Sequence, residues 1–135
     1  MELPNEDTAR FCGMEFDWFA VDALGAIGLF STGGWGEIPV EVARHAQQHQ
    51  ALAARLALPN WGSLAVWNDF ARYGLYVFDW QPYQGPYLQV ARPLAEPDSD
   101  VRNTIFQVHD LLRLSTSFQA TPHVSIDQFK LFSLR

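Results

Sequence analysis

The apolar positions of the chain change period several times, and each change marks an element. FDWFAVD (16–22) and AIGLF (26–30) are aromatic and β-branched runs separated by Asp22-Ala23-Leu24-Gly25, a turn-like tetrapeptide ending in a residue that tolerates positive φ. Together they predict a β-hairpin. Ser31-Thr32-Gly33-Gly34-Trp35-Gly36 breaks the second strand, and Pro39 stands where a first helical turn accepts a residue without an N–H. From about 39 to 57, Val42, Ala46, His49, Ala53 and Leu56 recur at spacings of four, three, four and three, which lines one face of a helix. Leu58-Pro59-Asn60 ends it.

A shorter helix follows, with Ser63 as its cap, Leu64, Trp67, Phe70 and Ala71 as its apolar face and Gly74 as a left-handed C-terminal cap. LYVFDW (75–80) and YLQVAR (87–92) then read as a second hairpin around the loop 81–86. Beyond Pro97, Ser99 or Asp100 is placed to cap a helix in which Val101, Ile105, Val108 and Leu112 repeat at four, three and four. A strand around 123–126 and a short element at 129–134 close the chain, and residues 1–14 read as an irregular N-terminal arm. The order β-β-α-α-β-β-α-β, without a repeat or a linker-like break, predicts one α+β domain over 1–135: a mainly antiparallel sheet built from two hairpins, with two or three packed helices.

Composition sharpens this picture. With 135 residues, 48% of them hydrophobic and 14% aromatic, the chain can bury roughly two thirds of its unfolded surface and needs no disulfide or metal to fold. Apolar stretches stop short of the ~18 residues of a membrane span, and the opening MELPNED is acidic, so neither a signal peptide nor a membrane helix is expected. Cys12 is the single cysteine, which fits a reducing cytoplasm. Fifteen acidic against nine basic residues give a net charge of −6, and the arginines are scattered. That disfavours nucleic acid as a partner and favours a basic one.

Candidate chemistry is sparse. His45 and His49 lie four apart, the spacing by which a helix offers two imidazoles to a metal, but Ala46 replaces the glutamate of the metalloprotease motif and no third ligand adjoins them. Gly33-Gly34-Trp35-Gly36 sits between strand and helix where amides can hold a phosphate, yet it matches neither dinucleotide nor P-loop spacing, and Glu37 and Glu41 would repel an anion. Asp17, Asp22, Asp79 and Asp110 fall in separate elements and form no recognisable acid–base pair; no serine elbow or activated thiol is present. Aromatics cluster instead around the second hairpin: Tyr73, Tyr76, Trp80, Tyr83 and Tyr87, with Arg72 and Arg92 close by. Tyr, Trp and Arg dominate the energetics of protein interfaces, which makes Trp35, Glu37, Trp80, Tyr83 and Arg92 the candidate partner-binding residues.

The segments 16–39, 73–80 and 87–93, with the two hairpins and the glycine loop they carry, resemble small bacterial proteins associated with immunity to polymorphic toxins. That resemblance implies a cytoplasmic inhibitor that occludes a cognate toxin, and it carries over no catalytic residue. The leading expectation is therefore a non-enzymatic protein-binding module without a cofactor, whose partner is a protein such as a basic toxin domain. Two alternatives stay open: a small-molecule or nucleotide module using Gly33–Gly36, and a metal-dependent enzyme using His45 and His49. The oligomeric state is not encoded in any motif.

Overall fold

The computed structural model describes residues 16–81, 85–126, 129 and 131. The expected N-terminal arm, Cys12 and Tyr83 lie outside these. Among the described residues six strands, β1 Asp17–Val21, β2 Ile27–Ser31, β3 Tyr76–Trp80, β4 Tyr87–Ala91, β5 Leu112–Arg113 and β6 His123–Val124, form one sheet in the order β5-β1-β2-β3-β4-β6. The helices are α1 Val40–Arg44, α2 Ala46–Ala54, α3 Val66–Arg72 and α4 Ser99–Phe106, none of them long and apolar enough to cross a membrane. An α+β domain with two hairpins is confirmed. The sheet, however, is mixed: β1–β2, β3–β4 and β4–β6 are antiparallel, whereas β2–β3 and β1–β5 are parallel. The helices between β2 and β3 form a crossover that returns the chain to the end where β2 began, and a crossover of that length is what parallel pairing requires.

Both faces of the central strands are covered. On one face Phe19, Val21, Ile27, Leu29 and Val77 pack under Leu52 and Leu56 at the α2 side, Phe70 of α3 and Ile105 of α4. On the other, Trp18, Phe30 and Phe78 stand side by side on β1, β2 and β3, with ring centroids 4.4 Å and 4.7 Å apart and nearly parallel planes. Phe118 closes this row from above, 5.0 Å from Phe78. It fits because Gly28 has no side chain: a Cβ there would lie 2.8 Å from the Phe118 ring. Leu114, Val124 and Ile126, with Ile38, Val42 and Ala43 from the α1 side, complete the cover, so the segment after β5 shares on this face the work that helices do on the other.

The single helix expected over 39–57 is two helices, broken at His45 (φ −118°, ψ 32°). Val42 and Ala43 of α1 belong to the aromatic face, while Leu52 of α2 belongs to the opposite one. The break lets one continuous apolar stripe serve both faces, a demand that periodicity alone does not reveal. Two cap expectations shift. Ala65, not Ser63, precedes α3, leaving Leu64 exposed, and Asp98 caps α4 by accepting from the Val101 N–H at 3.0 Å. Gly74 is left-handed as expected (φ +87°). β5, only two residues long, is too short for any sequence period.

The turn of the first hairpin is fixed by Asp22. Its Oδ1 accepts from the Leu24 and Ala26 N–H groups at 2.9 Å and 2.8 Å, and its Oδ2 accepts from the Phe118 N–H at 2.8 Å. One buried carboxylate thus shapes the hairpin and anchors the aromatic cover 96 residues later. Asp22→Ala, which strips three amides of their acceptor, is expected to lower the unfolding free energy by about 2–4 kcal/mol, read from urea denaturation, with Asp22→Asn losing less.

Candidate functional site

At one end of the sheet the core gives way to polar side chains. Asp17, Ser31 and Asp79 are register partners across β1, β2 and β3, directly beyond the apolar row Phe19, Leu29 and Val77. Strand alternation places all three on the helical face. Two strand spacings put the carboxylate-bearing backbones about 10 Å apart, with the Ser31 strand between. The row forms the floor of a cleft of about 500 Å³, walled by Trp61, Leu64, Val66, Trp67 and Phe70 with Gly33 at its lip. A second depression, of about 340 Å³, shares Asp17 and Trp61 with the first. Trp61 therefore stands between two hollows, each bordered by Asp17.

The wall is held by a residue that no motif singles out. Asp69 of α3 is buried, and its two oxygens accept from the Asn60 backbone N–H at 2.7 Å and the Asn60 amide at 2.8 Å. Arg72 balances its charge at 3.4 Å. These bonds tie the loop after α2 to α3 and present Trp61 (62% exposed) and Leu64 (81% exposed) to solvent. Trp35, close to Gly33 in the chain, is 69% exposed. Large apolar side chains held in water next to a concave acidic floor suit contact with another molecule.

Three amides of the glycine loop are turned onto the loop itself. Gly34 N–H donates to Thr32 Oγ1 at 3.2 Å, and the Trp35 and Gly36 N–H groups donate to the Thr32 carbonyl at 3.1 Å and 2.8 Å. These three amides are engaged within the loop. The helix that follows, α1, is only five residues long and carries Glu41 in its first turn. Gly36 serves packing instead. A Cβ there would lie 2.7 Å from the Tyr87 hydroxyl, so the absence of one lets the loop close over the aromatic core. Tyr87 donates to the Glu37 carbonyl at 2.7 Å and accepts from Trp18 Nε1 at 3.2 Å. Burial pushes its phenol well above the ordinary range.

The residues expected at an interface are therefore dispersed. Trp35 is exposed as expected, and Glu37 is half-buried with its carbonyl committed to Tyr87. Trp80 is buried, packed against Tyr87 at 5.0 Å and touching the space a Gly85 Cβ would fill, so it is a core residue and not a contact residue. Arg92 follows the end of β4 that pairs with the start of β3, the opposite end of the sheet from the cleft. There it donates to the Gln119 carbonyl at 2.6 Å and lies over the Tyr76 ring. Trp61, Leu64, Asp17 and Asp79, not singled out in sequence as contact residues, border the cleft instead. Only their assembly in three dimensions identifies them, since the row runs across three strands that are distant in sequence.

The histidine pair also separates. His49 is buried, and its Nδ1 accepts from the Phe19 N–H at 3.1 Å. This N–H lies on the edge of β1 where β5 does not reach, so an imidazole takes the place of a missing strand. The ring stacks on Phe19, 6.2 Å between centroids. With Nδ1 accepting, the neutral ring carries its proton on Nε2, which leaves neither nitrogen to pair with His45 at a metal while that bond stands. His45 turns instead toward Asp110, 3.1 Å away. No protein family, curated protein or solved structure is matched by the chain.

Burial, reinforced by the nearby His45, lowers the His49 pKa from 6.5 to about 4. Between those values the unfolded chain binds a proton that the folded one refuses, so stability is complete above about pH 6.5 and is lost as the pH falls toward 4. The loss expected from this group is up to about 3 kcal/mol. His49→Gln, which keeps an acceptor but cannot titrate, should flatten that part of the curve of unfolding free energy against pH.

Proposed function

We propose that the chain is a non-enzymatic, immunity-type inhibitor that binds and occludes a basic protein partner, a bacterial toxin domain, in the cytoplasm. The observation that carries this reading is the row of Asp17 and Asp79, two acids flanking Ser31, beneath Trp61, Leu64 and Trp67. A carboxylate-bearing floor with indole walls matches a lysine or arginine side chain, whose aliphatic stem packs on the rings while its charge meets the acids. Trp35, two residues from Gly33 at the lip, is a further exposed ring in the same loop. The chain's charge of −6 adds long-range attraction that speeds encounter with a basic surface. Occlusion requires no chemical step and no cofactor, in keeping with the resemblance of the two hairpins to immunity proteins.

A small cationic ligand is the second reading, favoured by the cleft's volume of about 500 Å³, which lies in the range of ligand pockets. The two are separated by capturing partners on the tagged chain from its native host at moderate salt, and expressing any stoichiometric partner alone and together with the chain. A basic protein that is toxic alone and tolerated on co-expression is the expected result. Trp61→Ala is expected to weaken that complex about 30-fold or more, and Asp79→Asn to weaken it most at low salt, with circular dichroism unchanged. A complex indifferent to both substitutions overturns this assignment of the surface; thermal stabilisation by a small amine in the absence of a protein partner supports the second reading.

A further inference from the structure

We infer that His45, His109 and Asp110 form a binding site for a single divalent transition-metal ion of the zinc type, at a place the cleft does not touch. His45 occupies the break between α1 and α2; His109 and Asp110 form the turn between α4 and β5. One potential ligand atom from each lies within 4.8 Å of the others. His45 Nε2 is 3.1 Å and His109 Nε2 4.0 Å from Asp110 Oδ2, and the two imidazole rings meet edge to face at 4.7 Å.

These separations are close to what a metal demands. Tetrahedral bonds of about 2.0–2.1 Å hold ligand atoms roughly 3.3 Å apart. His45 and Asp110 already satisfy that spacing, and His109, 70% exposed, needs only a small ring rotation to reach it. The backbone beneath is held on both sides. The His109 N–H donates to Gln48 Oε1 at 2.8 Å, which ties the turn to α2, and Asp110 takes a left-handed conformation (φ 57°) that aspartate tolerates better than most side chains.

Two imidazoles and a carboxylate select borderline divalent ions such as Zn²⁺, Co²⁺ or Ni²⁺ over Mg²⁺ and Ca²⁺, which prefer all-oxygen shells. Three protein ligands leave a fourth position for water or for a donor from another molecule. The fold's own logic explains the set. Because His49 turns inward to cap β1, the helix break at His45 frees its imidazole to face the α4–β5 turn, and a bound ion would clamp two segments 65 residues apart.

The probes are Zn²⁺ and Co²⁺ added to the untagged, chelator-stripped full chain. Calorimetry is expected to give one saturable Zn²⁺ site per chain, and Co²⁺ a visible absorption band of tetrahedral intensity. Zn²⁺ should also raise the melting temperature. His109→Ala and Asp110→Asn sit on exposed side chains and suit the local backbone, so both should fold; each is expected to weaken Zn²⁺ at least 10-fold and to abolish the Co²⁺ band. No saturable binding, or binding that both variants retain, overturns the site and would assign any residual affinity to His123 or Cys12. Loss of metal binding with the cleft-dependent complex intact separates this site from the proposed partner surface.

Discussion

Strand β2 has no solvent face. All five of its residues are buried, and most of the architecture follows from covering it twice. Helices cover Ile27 and Leu29; the segment after β5, led by Phe118, covers the face of Gly28 and Phe30. Neither cover suffices alone, because a strand that is apolar on both sides is stable only between two layers. The break at His45, the parallel entry of β3 beside β2 and the three-amide grip of Asp22 are all means of bringing those two layers together. His49 belongs to the same scheme. Where the short β5 leaves an amide of β1 unpaired, a buried imidazole supplies the acceptor that the strand does not.

The polar cleft begins where this double cover ends. Two residues beyond Phe19, Leu29 and Val77, the same three strands carry Asp17, Ser31 and Asp79 toward the same side. The register that aligns the core therefore also aligns the acids, and no separate device is needed to position them. The rings above them are a different matter: Trp61 and Leu64 are exposed because the buried Asp69 carboxylate and its bonds to Asn60 hold that loop in one shape. A loop so firmly tied, yet so apolar toward water, would lose little freedom on binding the partner we propose.

Periodicity is a sound guide to the elements of this chain and a poor one to its site. The two hairpins, the turn at Asp22–Gly25 and the left-handed Gly74 follow from local rules, and they are present. The helix break at His45, the parallel pairing of β2 with β3 and the two-residue β5 answer to tertiary demands that no window of sequence contains. Trp80 shows the limit for single residues: an aromatic beside a loop reads as an interface anchor, but strand alternation turns it inward against Tyr87 and Gly36. Trp61 shows the opposite, being silent in sequence because its neighbours Pro59, Asn60 and Gly62 mark only a turn. His45 stands out in sequence for the wrong companion, since Asp110 lies 65 residues away and the helical neighbour His49 is otherwise engaged.

The bond between Asp22 and Phe118 also bears on how the chain is made. A ribosome delivers both hairpins and all four described helices before it delivers Phe118, and at roughly 5–20 residues per second the interval between Phe78 and Phe118 is several seconds. Through that interval the stacked rings of Trp18, Phe30 and Phe78 share their face with Ile38, Val42 and Ala43 but lack the Phe118 part of the cover. The nascent protein thus completes the cover of its aromatic face only late, and the β4 edge of its sheet remains open until β6 arrives later still. Its passage through synthesis is the period in which chaperones, or a premature stop, would matter most.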